Sequence, residues 1–460
     1  MAISRRHFLR NAGAVTIGFS GLHTFVGCSP SSRLTKSGPA GYGSLRPDPN
    51  GILDLPEGFS YTLVSRTGER MNDGYFVPSS HDGMAAFPGP GNRTILVRNH
   101  EISAGASPGS GPFGNNNGLM RQLNRTHLYD AGSNGTPCLG GTTTLVYNTQ
   151  SQQLESHHLS LAGTLRNCAG GPTPWNTWVT CEETVDRAGD ALSEDHGYNF
   201  EVPVSDQPGL ATPVALKAMG RFNHEAIAVD PASGIVYETE DRGDGLIYRF
   251  IPHVPGKLAE GGRLQALSIT GTPSMDTRNW ESQLVETGHE LDVSWIDVED
   301  VTSMDDDLRI RGFEKGAARF ARGEGMWYGD GTIFFACTNG GRERKGQIWK
   351  YTPSAQEGKT EEQNDPGRLE LFVEPNDSNL VENADNLTIS PWGDLIVCED
   401  GPGDQNLVGI TPDGSLYRFG HNSMNNSEFA GATFSPDGST FFVNIQSPGF
   451  TVAITGPWEG

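Results

Sequence analysis

One short pattern recurs along this chain and limits its fold more than any other feature: a turn carrying Pro, Gly, Asn or Asp, an apolar strand, then polar residues at the strand's end. Six copies are read, at 91–101 (GNRTILVRNHE), 174–183 (PWNTWVTCEE), 233–241 (SGIVYETED), 329–339 (GDGTIFFACTN), 391–400 (PWGDLIVCED) and 436–446 (PDGSTFFVNIQ). A second strand type, with alternating aromatics, accompanies them at 246–250 (LIYRF), 347–351 (QIWKY) and 415–419 (SLYRF). Strand groups repeated at irregular intervals predict the blades of a β-propeller separated by long insertions, and the number of copies predicts six blades. The 60 glycines and 29 prolines, against 35% hydrophobic residues, likewise favour an all-β chain of short strands and many turns.

In a propeller the innermost strands line a central channel, so equivalent strand ends converge on one mouth. With the repeat taken as that innermost strand, the mouth collects Asn99, His100 and Glu101; Cys181, Glu182 and Glu183; Glu240 and Asp241; Thr338 and Asn339; Glu399 and Asp400; and Asn444 with Gln446. Carboxylates dominate this ring. Uncompensated, they would repel one another and their pKa values would rise, and bound cations resolve the conflict. The plainer reading is that these residues end on solvated loops and bind nothing. A formal net charge of -23 argues against nucleic-acid binding and suits hard cations, although a solvated acidic surface accounts for most of those charges.

Four further segments carry chemistry. In RNCAGG (166–171) Cys168 stands on a glycine-rich turn, where a thiolate could ligate iron or zinc; the commoner fate of such a cysteine is a small buried hydrophobe or half of a disulfide. RFNHE (221–225), RGEGM (322–326) and ENADNL (382–387) put Glu225, Glu324 and Asp385 in loops feeding the repeat. Any one alone reads as a cap, but three at equivalent positions point to a shared role. Apart from Cys28, the cysteines are Cys138, Cys168, Cys181, Cys337 and Cys398, an odd number that leaves at least one unpaired or acting as a ligand.

The N-terminus reads as an export signal. Ser4, Arg5 and Arg6, followed by His7, Phe8, Leu9 and Arg10 and a weakly apolar stretch over 12–26, have the layout of a twin-arginine leader for cargo exported already folded. That stretch is too short to span a membrane, and nothing later offers a better span. Val26, Gly27 and Cys28 stand where a lipoprotein peptidase would cut, which makes Cys28 a candidate lipid anchor; ordinary cleavage nearby would discard it. The expected organisation is a leader over 1–28, a flexible tether over 29–50 and one catalytic propeller over 51–460. The expected state is a monomer in the periplasm or at the cell surface, with the twin-arginine translocase as its export partner.

Six ordered motifs now carry a family resemblance: RNHE (98–101), NCAGGPTPWNTWVTCEE (167–183), RFNHEA (221–226), EDR (240–242), RGEGM (322–326) and DNL (385–387). From residue 51 to the C-terminus the chain resembles the PhoX-type alkaline phosphatases, exported phosphomonoesterases on a six-bladed propeller that use calcium and ferric ions around a bridging oxo group. The resemblance implies that Cys168 binds iron, that Glu183, Glu225, Asp385 and Glu240 are carboxylate ligands, and that Glu324 also holds metal. It implies that Arg322 holds the substrate phosphate, so Arg322 and Glu324 are the catalytic candidates, and that an asparagine assists, with Asn99 and Asn148 as candidates. Glu101, Asp241, Glu399 and Asp400 are calcium candidates from the ring argument as much as from the resemblance. Cations there would neutralise the mouth, polarise phosphoryl oxygens and hold an oxygen nucleophile deprotonated, while Arg322 meets phosphate bidentately. No separate Ser-His-Asp constellation is needed, and none is evident. The competing readings are a calcium-dependent lactonase or phosphodiesterase on a similar scaffold, and a non-enzymatic calcium-binding propeller.

Overall fold

Every copy of the repeat forms a strand: Arg93–His100, Thr177–Glu182, Val236–Glu240, Thr332–Cys337, Leu395–Glu399 and Phe441–Ile445. Each, however, is the second strand of its group rather than the innermost. An antiparallel partner precedes each one: His81–Pro88, Asn167–Pro172, His224–Val229, Gly323–Gly329, Ala384–Ile389 and Phe429–Phe434. The second strands are sandwiched and read as continuous apolar runs. The first strands are broken by small and polar residues, and so carry no periodic signal. The repeat therefore sits one strand farther from the centre than the sequence predicts.

The computed structural model describes residues 40–375 and 380–458. The expected leader at 1–28, with Arg5, Arg6 and Cys28, lies outside the described residues, as does the expected tether as far as residue 39. The strands form five hydrogen-bonded sheets. One of nine strands carries both the His224 and Gly323 first strands, joined through Glu290–Asp297, which pairs with Gly262–Ile269 on one side and Arg368–Val373 on the other. The six first strands lie side by side in sequence order and the last packs back on the first, a propeller-like arrangement. This round is closed by the N-terminal end of the described chain, where Ser60–Arg66 pairs with Phe450–Thr455 and Leu53–Pro56 pairs with Leu416–Asn422. Residues 41–50, expected in the tether, belong to the same construction: Leu45–Arg46 pairs with Leu53–Pro56, and Tyr42 packs edge-on against Phe59 at 4.9 Å.

Apolar side chains fill the spaces between sheets. Trp349 stacks on Phe335, and Phe320 meets both edge-on. Cys138, Cys168, Cys181, Cys337 and Cys398 are all free thiols. Among the described residues no helix is long and apolar enough to cross a membrane.

Candidate metal centre

All six first strands slip register near one end: between His81 and Met84, Asn167 and Gly170, His224 and Ile227, Gly323 and Met326, Ala384 and Leu387, and Ala430 and Thr433. A bulge sets two residues against one and re-aims a side chain. The first bulged residues are Asp82, Cys168, Glu225, Glu324, Asp385 and Gly431, so five of six carry a metal-binding group. The second are Gly83, Ala169, Ala226, Gly325, Asn386 and Ala432, and the small size of all but Asn386 follows from crowding. A Cβ on Gly83 would lie 2.6 Å from Ala169 Cα, and one on Gly325 would lie 2.6 Å from the Asp385 carbonyl.

A second round surrounds the first. The backbone N–H just beyond each second strand donates to a carbonyl at the entrance of the neighbouring first strand: Glu101 to Ser80 (3.0 Å), Glu183 to Arg166 (2.9 Å), Asp241 to Asn223 (3.1 Å), Thr338 to Arg322 (3.0 Å), Asp400 to Asn383 (3.0 Å) and Gln446 to Glu428 (3.2 Å). Four of those entrance residues, Ser80, Arg166, Arg322 and Asn383, have left-handed backbone with φ of 49, 43, 54 and 53°. Such conformations cost non-glycine residues about 1–3 kcal/mol and concentrate at functional sites.

The two rounds interleave their donors in four overlapping groups: Asp82, Glu101 and Cys168; Cys168, Glu183 and Glu225; Glu225, Glu324 and Asp385; Asp385, Asp400 and Glu428. Within each group the ligating atoms lie within 4.8 Å of one another, and the shared Cys168, Glu225 and Asp385 join the groups into one arc. Burial, then mutual repulsion, drives the protonation equilibria upward. Glu225 is raised well above the usual carboxylate range by burial and by the charges of Glu183, Asp385, Asp241 and Asp82. Glu324, Asp82 and Glu428 behave alike. Burial lifts Glu183 to about 8 despite Arg166, and Asp385 to about 6. The Cys168 thiol is pushed well up by burial and by Asp82, Glu225, Glu101 and Glu183.

These donors fit cations. Both carboxylate oxygens of Glu225, and Oδ1 of Asp385, are buried without a hydrogen-bond partner. A buried carboxylate with no partner is strongly unfavourable, and a coordinated cation removes that cost.

Two arginines edge the arc. Arg322 meets Asp241 through Nε (2.8 Å) and Nη2 (2.9 Å), and Nη2 also donates to Glu324 (2.8 Å). About a third of its side chain is exposed (34%). Arg166 donates through Nε to Glu101 (3.1 Å) and through Nη2 to Glu183. Gln446 Nε2 donates to both Asp82 Oδ2 and Glu101 Oε2 at 3.0 Å.

The structure brings together Cys168, Glu183, Glu225, Glu324, Asp385, Glu101 and Asp400, and sets Asp241 beside them on Arg322. Glu225, Glu324 and Asp385 stand within the first strands rather than in the loops feeding them, and Cys168 stands on a bulge rather than a turn. Glu240 and Glu399 do not join. Successive side chains point to opposite faces of a strand, so the neighbours of Asp241 and Asp400 face away from the arc. Glu240 accepts from the Tyr248 hydroxyl (2.9 Å) and the Leu246 N–H (3.2 Å), and burial lifts it to about 7. Glu399 accepts from the Glu382 N–H (2.7 Å) and from Asn406 Nδ2 (2.7 Å). Asn99 is buried, with Nδ2 on the Cys168 and Ala169 carbonyls and Oδ1 on Trp178 Nε1, so it positions the Cys168 bulge from behind. Asn148 lies at the far end of the sheet, opposite Arg93. Asp82, Glu428 and Arg166 were not anticipated. The one signal for Asp82 is an acid followed by a small residue (DG), matching EA at 225–226 and EG at 324–325.

Fold and site together define a class: an all-β, propeller-like protein with an acidic, thiol-containing candidate cation site at the mouth of its central strands. The family model "Alkaline phosphatase PhoX" matches residues 40–146 and 137–449, and the chain belongs to this family of metal-dependent phosphatases. It is thereby a hydrolase acting on phosphate esters. Among solved structures, Pseudomonas fluorescens PhoX in complex with vanadate, a transition state analogue, superposes with a TM-score of 0.63 at 18% identity, over 88% of this chain and 96% of that one, which supports the fold. A gluconolactonase from Xanthomonas campestris (TM-score 0.38, 12% identity, 86% of this chain and 98% of that one) and a luciferin-regenerating enzyme (0.39, 10%, 87% and 96%) are too distant to carry an argument. No curated protein matches the chain.

Proposed function

We propose that this protein is a phosphomonoesterase that releases inorganic phosphate from organic esters at a multinuclear iron and calcium centre. One observation carries the reading: the partnerless, fully buried Glu225 carboxylate stands between Cys168 and Asp385 in a continuous arc of donors that Arg322 edges. Cys168, Glu183 and Glu225 would hold iron, the ion suited to a thiolate, while Asp385, Asp400, Glu428, Glu324, Asp82 and Glu101 offer the all-oxygen surroundings that suit calcium. Cations in the arc would act as Lewis acids on the phosphoryl oxygens.

The chain's own contribution is positioning. Asp241 and Glu324 fix the guanidinium plane of Arg322, whose Nη1 makes no hydrogen bond to the described residues and can donate to a phosphate oxygen. Glu101 and Glu183 hold Arg166 in the same way across the arc. The six first strands read as six blades, two of them fused through Glu290–Asp297 into the nine-stranded sheet. Arg5 and Arg6 fit export by the twin-arginine translocase to the periplasm or cell surface, with Cys28 as a lipid anchor and the protein acting as a monomer.

The test is hydrolysis of p-nitrophenyl phosphate by protein purified with calcium and iron, paired with elemental analysis. Turnover that disappears on chelation is expected. A metal-replete sample that leaves the ester intact rejects the reading, and a single divalent ion without iron would point to a lactonase.

A further inference from the structure

A second set of donors lies away from the mouth. Asp130, Cys138 and His196 place ligating atoms within 4.8 Å of one another, and all three are buried, with relative exposures of 0, 5 and 0%. His196 Nε2 stands 3.2 Å from Asp130 Oδ2 and 4.0 Å from Cys138 Sγ. The other ring nitrogen, Nδ1, is 2.7 Å from Glu182 Oε1. Glu182 is the neighbour of Glu183 and points away from the mouth, so this cluster shares no donor with the arc.

We propose that Asp130 Oδ2, Cys138 Sγ and His196 Nε2 form a second metal site, for a divalent transition cation of the zinc class. The donor set of thiolate, imidazole and carboxylate suits such a cation and is wrong for calcium. A tetrahedral ion with bonds of about 2.0 Å to N and O and about 2.3 Å to S holds its N and O donors about 3.3 Å apart and its N and S donors about 3.6 Å apart. The observed 3.2 and 4.0 Å lie close to those edges. The Glu182 contact is the outer carboxylate that a metal-bound histidine commonly has: it fixes the tautomer with the proton on Nδ1 and turns Nε2 toward the ion. On binding, the Cys138 thiol and the His196 imidazolium each release a proton to solvent, leaving a thiolate and a neutral ring with its remaining proton on Nδ1, and a water takes the fourth position.

Without an ion, the same ring can lie as an imidazolium between Asp130 and Glu182. That arrangement satisfies both acids but leaves the buried Cys138 sulfur with only a weak 4.0 Å contact. The site would be structural. Asp130 gathers its loop through the Gly132 N–H (2.6 Å) and the Cys138 N–H on its carbonyl (3.1 Å), and gathers the 184–198 insertion through Ser193 Oγ (2.6 Å) and the Glu194 N–H (3.1 Å). Glu182 ties the insertion to the strand leading into Glu183 through the Gly197 N–H (2.9 Å), and also accepts from the Leu165 N–H (2.9 Å).

The test compares metal content between the full chain and Cys138→Ser, purified side by side. Loss of about one transition-metal equivalent per chain, with calcium and mouth iron unchanged, is the expected result. If Cys138→Ser does not fold, cobalt loading of Cys168→Ser decides, because Cys138 is then the one thiol left among the grouped donors of the described residues. A near-ultraviolet sulfur-to-cobalt charge-transfer band is expected there. Unchanged metal content in Cys138→Ser, or cobalt-loaded Cys168→Ser without that band, overturns the site and leaves the imidazolium clasp.

Discussion

Carboxylates at the two ends of these sheets live in opposite conditions. At the turn end, Asp437 accepts from Ser435 Oγ (2.6 Å), the Ser439 N–H (3.0 Å) and Ser439 Oγ (2.7 Å); burial alone would raise it, but these donors outweigh burial and hold it below its ordinary value. Asp230 is served in the same manner by the Ala232 N–H and by the Ser233 N–H and hydroxyl. At the mouth end, Glu225 and its neighbours have too few donors and too many like charges, and Glu225, Glu324, Glu183 and Asp385 are raised. One end uses acids to stabilise turns, whereas the other spends stability to keep acids available for cations.

The largest break in this contrast should come from Glu225→Gln. Removing the acid shared by two donor groups is expected to lower turnover by more than about 100-fold, beyond the effect usual for an outer-shell partner, and to strip metal. The metal-free variant should melt no lower than the metal-free parent, since a buried acid without a partner, repelled by its neighbours, is gone. Elemental analysis and calorimetry with and without chelator check both halves, and full metal retention would contradict the assignment.

Arg322→Lys keeps the charge but loses the fork that spans Asp241 and Glu324. A rise of about 10- to 100-fold in KM is expected, the scale of one hydrogen bond to a charged group. A KM equal to the parent's would remove Arg322 from substrate binding.

A pH scan sharpens the contrast further. Free carboxylates titrate near 4, whereas folded Asp385 and Glu183 are lifted to about 6 and about 8. The folded, metal-free protein therefore binds more protons than the unfolded chain across that window. These two groups contribute stability that is fullest below about pH 4 and is lost as pH rises through 6 and 8. Melting temperatures of the chelated protein should decline from about pH 5 to 8, and added calcium and iron should flatten the decline. A chelated profile that rises over this range would refute the electrostatic account.

The smallest effect should come from the other end. Asp437→Ala removes turn acceptors and is expected to cost about 1 kcal/mol of stability with turnover unchanged. A loss of activity there would erase the distinction between the two ends.

The outer round was legible because it belongs to the repeat. Glu101, Glu183, Asp241 and Asp400 each follow a continuous apolar strand, and such strands announce themselves. Glu240 and Glu399 were drawn in with them because adjacent letters cannot tell which side of a strand a residue faces until its register is known. The inner round was legible only where a longer motif marked it, as at Cys168, Glu225, Glu324 and Asp385. Asp82 and Glu428 had no such mark: one sits in a short HDG, and the other precedes a strand whose bulge carries Gly431 instead of a donor.

Sequence by itself determined that this chain makes many short strands, that their repeated ends are acidic, and that its motifs are those of a phosphatase family, because apolar runs, turn residues and ordered motifs are local properties. Tertiary structure alone decided which strand lies innermost, which neighbour of each acidic pair faces the mouth, and that Asp82 and Glu428 complete the arc. Those outcomes depend on bulges that shift side-chain register and on a round of strands closed by the N-terminal end of the described chain, and both are fixed only when distant segments meet.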